Sequence, residues 1–91
     1  MTQIEQRQQV RKMADQMERR LLLHDDDRGN EGWLGEDFFF LERRLREEVF
    51  ELMTAIYCRT STPEEIWAEA ADVANFAMML ANNYEVQYQG D

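Results

Sequence analysis

Apolar residues recur at three- and four-residue steps along three stretches of the chain, and polar segments separate these stretches. This spacing places the apolar side chains of each stretch on one face of a helix. The pattern predicts a first helix from about Thr2 to His24, a second from about Glu36 to Arg59, and a third from about Pro63 to Tyr84. The polar residues 85–91 are predicted to form a loose tail. Strand-like alternation is absent, so the predicted fold class is all-α.

Local signals predict where the helices begin and end. Residues 25–32 are polar and contain two glycines, which predicts a loop after the first helix. Glu36 and Asp37 suit the first turn of the second helix, because negative charge is favourable at a helix N-terminus. Thr62 and Glu65 have the spacing of a capping box at the start of the third helix. Three long helices joined in this way predict a single domain, residues 1–91, folded as an antiparallel helical bundle.

The second and third helices each carry an apolar stripe that we expect to form the core. The two stripes are Leu41, Leu45, Val49, Leu52 and Ile56 on the second helix, and Ile66, Ala70, Val73, Ala77 and Leu80 on the third. Carboxylates flank these stripes at i, i+3 spacing, which places the two members of each pair on one helix face. The pairs are Glu48 with Glu51 and Glu69 with Asp72.

Packing of the two stripes would bring the two acidic pairs together beside the core. Converging carboxylates repel one another and are costly to desolvate, so a positive charge is expected between them. A hard divalent cation with oxygen ligands, such as Mg²⁺, is the simplest candidate. The pattern therefore predicts a metal site formed by Glu48, Glu51, Glu69 and Asp72.

The acidic residues also form a recognisable motif. Glu47-Glu48-x-x-Glu51 is followed, after a gap of 17 residues, by Glu69-x-x-Asp72. This arrangement resembles the EExxE and ExxD signature of the MazG-like, all-α nucleoside triphosphate pyrophosphohydrolases, and the resemblance extends from about Gly32 to Asn83. It implies hydrolysis of a nucleoside triphosphate to its monophosphate and pyrophosphate, with water attacking the α-phosphorus. Mg²⁺ is the implied cofactor, with Mn²⁺ as a possible substitute.

Both glutamates that open the motif have an implied catalytic role. Glu48 is both a metal ligand and a catalytic residue under this resemblance. Glu47 matches the first acidic position of the family and would act on the attacking water or on an outer-shell ligand. The alternative for Glu47 is a solvated surface side chain, because it lies about 100° around the helix from Glu48.

Three residues are candidates for binding the substrate, and each has a structural alternative. Arg44 lies one turn before Glu48 and could contact a phosphate oxygen, or it could form an i, i+4 ion pair with Glu48. Asn75 lies one turn after Asp72 and could recognise a sugar or a base, or it could be a surface residue. Trp33 could stack on the base, or it could pack where the loop meets the second helix.

Composition narrows the class of partner. The net charge of −9 argues against general nucleic-acid binding, which needs a basic face. The longest apolar runs are too short for a membrane span, and the N-terminus lacks the apolar region of a signal peptide. A cytoplasmic protein is the resulting expectation, and the single Cys58 excludes an internal disulfide.

The apolar content predicts self-association. Hydrophobic residues make up 44% of the chain, which is more than a three-helix monomer conveniently buries. Phe38, Phe39 and Phe40 point in three directions about 100° apart, so one seam within the chain cannot bury all of them. The bundle is therefore expected to be completed in a homo-oligomer, and the resemblance implies a dimer or a tetramer.

The resemblance leaves the substrate base undecided. Some MazG-like proteins that act on purine deoxynucleotides carry a basic residue before a Gly-Gly-Trp, whereas this chain has Asn30-Glu31-Gly32-Trp33. A purine deoxynucleoside triphosphate, dGTP or dATP, is the expected substrate from the overall resemblance. The alternative function is that of a non-enzymatic acidic helical adaptor or inhibitor, whose apolar surface binds a partner protein.

Overall fold

The computed structural model describes residues 5–28 and 33–89, and these residues form three helices and no strand. Helix α1 spans Gln8–Arg28, α2 spans Phe38–Cys58 and α3 spans Pro63–Gln89. The all-α prediction is confirmed for this part of the chain. Within it, none of the helices combines the length and the apolar character needed to cross a membrane.

The boundaries of α1 differ from the prediction at both ends. Residues 5–7 are not helical, and the predicted start at Thr2 lies outside the described residues. At the other end α1 continues through residues 25–27 to Arg28, so the prediction that the loop begins at Asp25 was wrong. Aspartate costs a helix only about 0.5 kcal/mol per residue, whereas glycine costs about 1 kcal/mol. The helix therefore continues through the aspartates to Arg28.

Capping side chains define the ends of the other two helices. Asp37 is the N-cap of α2, and its carboxylate accepts a hydrogen bond from the Phe40 amide at 3.2 Å. Thr62 accepts one from the Glu65 amide at 3.2 Å, which confirms the predicted start of α3. At its far end α3 continues to Gln89, so the prediction of a loose tail from Glu85 was wrong as far as Gln89.

The pairing of side chains shows that α2 and α3 run antiparallel. Asn83, late in α3, donates a hydrogen bond to the carbonyl of Glu36, just before α2. In the middle of the pair, the Arg44 guanidinium lies 5.3 Å from the centre of the Phe76 ring. Helix α1 packs on α3 as well, whereas among the described residues the backbones of α1 and α2 stay apart. Helix α3 is therefore the central element.

The buried core lies on a different face of α3 from the predicted stripe. Ala71, Asn75 and Met79 are buried at i, i+4 intervals, whereas Ala77 of the predicted stripe is exposed. The buried face of α3 differs from the predicted one because α3 packs against both α1 and α2, and its most buried side must face both helices.

On α2 only part of the predicted stripe is buried. Leu41 is fully buried, while Val49 and Ile56 are exposed, so the prediction that these two form the core of the single chain was wrong. They belong to a continuous exposed apolar face on the second half of α2, which we call the α2 stripe. Its members are Val49, Phe50, Met53, Ile56 and Tyr57.

Candidate metal centre

Three of the predicted carboxylates meet between α2 and α3. Glu48, Glu51 and Glu69 each present an oxygen, and these atoms all lie within 4.8 Å of one another. We call these three residues the glutamate cluster. The antiparallel pairing of the two helices places them together, because each i, i+3 pair turns one face toward the opposite helix.

Burial makes Glu48 the central member of the glutamate cluster. Glu48 is only 5% exposed, and its Oε1 accepts a hydrogen bond from Arg44 at 2.9 Å. Its Oε2 is buried without a hydrogen-bond partner, and so is Oε2 of Glu69. Buried polar atoms usually have a partner, so two bare carboxylate oxygens in one cluster need an explanation. A bound cation would satisfy both.

The burial and close approach of these carboxylates raise the pKa values of Glu48 and Glu69. Burial raises the pKa of Glu48 from 4.5 to about 7, with further contributions from a hydrogen bond to Glu51 and from the charges of Glu51 and Asp72. A shared proton can therefore give the bare oxygen of Glu48 a partner. Burial also raises the pKa of Glu69, as do the charges of Asp72 and Glu51. The cluster takes up a positive charge readily, as a proton or as a metal ion.

The donor set suits a hard divalent cation. All three ligands are carboxylates, and no softer nitrogen or sulfur ligand joins the group among the described residues. Oxygens bound to one Mg²⁺ at about 2.1 Å lie at most about 4.2 Å apart. The observed limit of 4.8 Å is close to this value, so small side-chain rotations would suffice.

The fourth predicted ligand, Asp72, lies beside the cluster but is engaged elsewhere. Arg20 of α1 donates from Nε to Asp72 Oδ1 at 3.0 Å and from Nη2 to Oδ2 at 2.9 Å. Both carboxylate oxygens are therefore occupied by one guanidinium. Asp72 is near enough to raise the pKa of both Glu48 and Glu69.

The sequence analysis did not identify Arg20 as part of the site. The sequence does contain an indication, because Arg20 follows the apolar Met17 by three positions and so lies on the same face of α1. A cation on an apolar helix face needs a buried or half-buried acid as its partner. The identity of that acid required the fold, since Arg20 and Asp72 are 52 positions apart.

Glu47 and Arg44 lie at the edge of the glutamate cluster. Glu47 forms ion pairs with Arg44 and, at 3.9 Å, with Arg43, and its side chain is 45% exposed. Arg44 bridges Glu47 and Glu48, so the predicted i, i+4 pair with Glu48 is present. Its role toward phosphate stays a prediction, as does the catalytic role of Glu47.

The other two substrate-binding candidates make structural contacts. Asn75 is 3% exposed and donates from Nδ2 to the Met17 carbonyl at 3.0 Å, so it is not a surface residue. Trp33 is half-buried, and its carbonyl accepts a hydrogen bond from Asn83 at 3.2 Å. Asn83 lies three turns beyond Asp72, about 16 Å along α3. Binding of substrate by Asn75 and Trp33 stays a prediction.

No family model, curated protein or solved structure matches this chain. The MazG-like resemblance is thus carried by the motif residues and stays a prediction. The arrangement itself offers a partly buried, oxygen-only cation site flanked by two guanidiniums, those of Arg20 and Arg44. Such a site can bind a divalent ion and attract a polyanion to its edge.

Proposed function

We propose that this protein hydrolyses a nucleoside or deoxynucleoside triphosphate to the monophosphate and pyrophosphate, using Mg²⁺ or Mn²⁺. The observation that carries the proposal is the glutamate cluster, with its two buried oxygens that lack a partner. In the proposal Glu48, Glu51 and Glu69 hold the ion, and Asp72 completes the set. A bound divalent cation would neutralise phosphate oxygens and make the attacking water more acidic.

The chain's own residues have distinct roles in this proposal. Glu47 has a 45% exposed side chain at the edge of the glutamate cluster, and the proposal assigns it to the water that attacks the α-phosphorus. Arg44 is held between Glu47 and Glu48 and backed by Phe76, which keeps its guanidinium at the edge where phosphate would arrive. Trp33 is assigned to the base end of the substrate.

Self-association is part of the proposal. The α2 stripe is apolar and exposed, with Phe50 73% and Tyr57 74% accessible. Its residues have the i, i+3, i+4 spacing of a helix-packing face, which a second copy of the chain would cover. Val49 and Phe50 lie between Glu48 and Glu51 in the sequence, so this interface would adjoin the glutamate cluster. A dimer, or a tetramer of two dimers, would complete the helical bundle.

Two further elements of the proposal rest on the resemblance and on composition. Preference for a purine deoxynucleotide, dGTP or dATP, and a role in controlling the nucleotide pool come from the MazG-like motif. The cytoplasmic location is the expectation drawn from the sequence composition. Direct binding of nucleic acid is not proposed, because the net charge of −9 would repel phosphate backbones.

A substrate panel tests the activity. The purified protein is incubated with each of the eight common ribo- and deoxyribonucleoside triphosphates, with Mg²⁺ or with EDTA, and the products are separated by anion-exchange chromatography. The expected products are nucleoside monophosphate and intact pyrophosphate, formed only with the metal. Orthophosphate as the primary product, or no turnover of any triphosphate, would contradict the proposal.

A second function, that of an acidic adaptor or inhibitor, is favoured by the α2 stripe alone. A partner protein could cover the same five exposed residues that a second copy would cover. The panel separates the two functions, because an adaptor would release no pyrophosphate from any of the eight nucleotides. Substitution of Phe50 by Glu would then abolish partner binding, while substitution of Glu51 by Gln would leave it intact.

A further inference from the structure

The Arg20–Asp72 pair places a fixed positive charge inside the proposed metal site. Arg20 comes from α1, whereas the carboxylates of the site come from α2 and α3. The Arg20 side chain is 29% exposed and the Asp72 side chain 12% exposed, so solvent screens their attraction only in part. Bidentate pairing also engages one lone pair on each oxygen of Asp72 and holds the carboxylate toward Arg20, which makes it a poorer ligand for a metal ion while the pairing lasts.

The same guanidinium is close to other members of the site. The hydrogen bond to Asp72 is the main cause that raises the pKa of Arg20, and the charges of Asp72, Glu69 and Glu48 raise it further, so the guanidinium also interacts with two members of the glutamate cluster. A divalent cation bound to that cluster would repel Arg20. The two cations therefore compete for the same negative charge.

We propose that Arg20 is a resident cation of this site and competes with the divalent metal for Asp72. The three glutamates would hold the ion, and Asp72 would add a fourth carboxylate once its pairing with Arg20 is lost. This inference rests on the proposed metal site. It adds a residue of α1 that limits metal affinity, and it links metal binding to the way α1 is held on α3.

Helix α1 has other attachments that should survive removal of Arg20. Asn75 bonds to the Met17 carbonyl, and the Lys12 ammonium lies 4.4 Å from the centre of the Trp67 ring. An Arg20→Met variant keeps an unbranched apolar side chain that matches the aliphatic part of arginine, and it removes the guanidinium. The matched control is Arg19→Met, which makes the same change of net charge at an exposed neighbouring position on α1.

Titration calorimetry with Mn²⁺ at pH 8, on the nucleotide-free protein, tests the competition. Arg20→Met should bind Mn²⁺ about tenfold more tightly than wild type, because the competing charge is gone. Arg19→Met should change the affinity less than about twofold, since exposed charges are screened. In an Asp72→Asn background the gain from Arg20→Met should vanish.

Each other outcome is decisive. Unchanged or weaker binding by Arg20→Met would show that Arg20 only clamps α1 to α3. A gain that persists without Asp72 would show a general charge effect instead of competition for that carboxylate. If circular dichroism shows that Arg20→Met does not fold, Arg20→Lys is used, because lysine keeps the charge but cannot form the bidentate pair with Asp72. Arg20→Lys should bind Mn²⁺ about threefold more tightly than wild type. An unchanged affinity for Mn²⁺ would overturn the inference. Failure of wild type to bind Mn²⁺ overturns the metal site itself.

Discussion

The side-chain amide of Asn75 donates a hydrogen bond to the main-chain carbonyl of Met17 at 3.0 Å, which ties the central helix α3 to α1. Asn75 is only 3% exposed, and its Oδ1 is buried without a partner. A residue expected from the sequence to face substrate thus holds two helices together. The contact also places α1 where Arg20 can reach Asp72.

Asn75→Ala is therefore expected to destabilise the protein. Loss of this buried hydrogen bond between two helices should lower the free energy of unfolding by about 0.5–1.5 kcal/mol, since the Met17 carbonyl keeps its donor within α1. Urea denaturation followed by circular dichroism measures the change. Asn82→Ala is the control, because Asn82 is half-buried and its side chain donates to that of its neighbour Asn83 within the same helix. A stable Asn75→Ala variant with a raised KM would instead support direct contact with substrate.

The glutamate cluster predicts which carboxylates turnover needs. Glu51→Gln and Asp72→Asn should each lower kcat by about 100-fold or more, because each removes a ligand charge, while the helices remain folded. Pyrophosphate release at saturating Mg²⁺ measures the loss. Glu42→Gln is the control on α2, since Glu42 pairs with Arg46 at the surface, away from the cluster. Near wild-type activity in either ligand variant would refute the assignment.

Without metal, the raised pKa of Glu48 predicts a stability that falls as pH rises. The folded-state pKa of about 7 exceeds the unfolded value of 4.5, so the folded protein holds the proton over this interval and the unfolded chain does not. The stabilisation is complete below about pH 4.5 and is lost as pH rises to about 7. The loss is up to about 3 kcal/mol.

Denaturation in EDTA at pH 5, 6, 7 and 8 measures this slope, and Glu48→Gln should flatten it. Mg²⁺ at millimolar concentration should restore stability at pH 8 and raise Tm, because the ion binds only the folded cluster. A Tm that does not respond to Mg²⁺ or to nucleotide would count against the site.

The α2 stripe predicts an oligomer at micromolar concentration. Phe50→Glu or Met53→Glu should shift the protein to a monomer, because each places a charge in the proposed interface. Light scattering coupled to gel filtration reports the mass. Leu22→Glu is the control, since Leu22 is a 65% exposed apolar residue on α1, outside the stripe. A monomeric wild-type protein would remove the oligomer from the proposal.

Isotope labelling tests where water attacks. In ¹⁸O-labelled water the label should enter the nucleoside monophosphate, as required by attack at the α-phosphorus, and mass spectrometry of both products locates it. Label found only in pyrophosphate would mean attack at the β-phosphorus. A nucleoside diphosphate product would exclude a pyrophosphohydrolase.

The sequence was sufficient for features that depend on nearby residues. The start of α3 followed from Thr62 and Glu65, which meet across one turn, and the three helices followed from apolar spacing. The meeting of Glu48, Glu51 and Glu69 was also predictable, because each acidic pair shares a helix face and the helices form a hairpin. These interactions need only the helical repeat and a short connection.

Tertiary structure alone decided which side of each helix became the core and which charges became partners. Helix α3 is contacted by both α1 and α2, so its buried face turned to Asn75 and away from Ala77. The pairing of Arg20 with Asp72 spans 52 positions, and nothing local at either residue specifies the other. Periodicity identifies an apolar face on each helix, but burial and ion pairing depend on where the neighbouring helices pack, and that is set by the free energy of the whole arrangement.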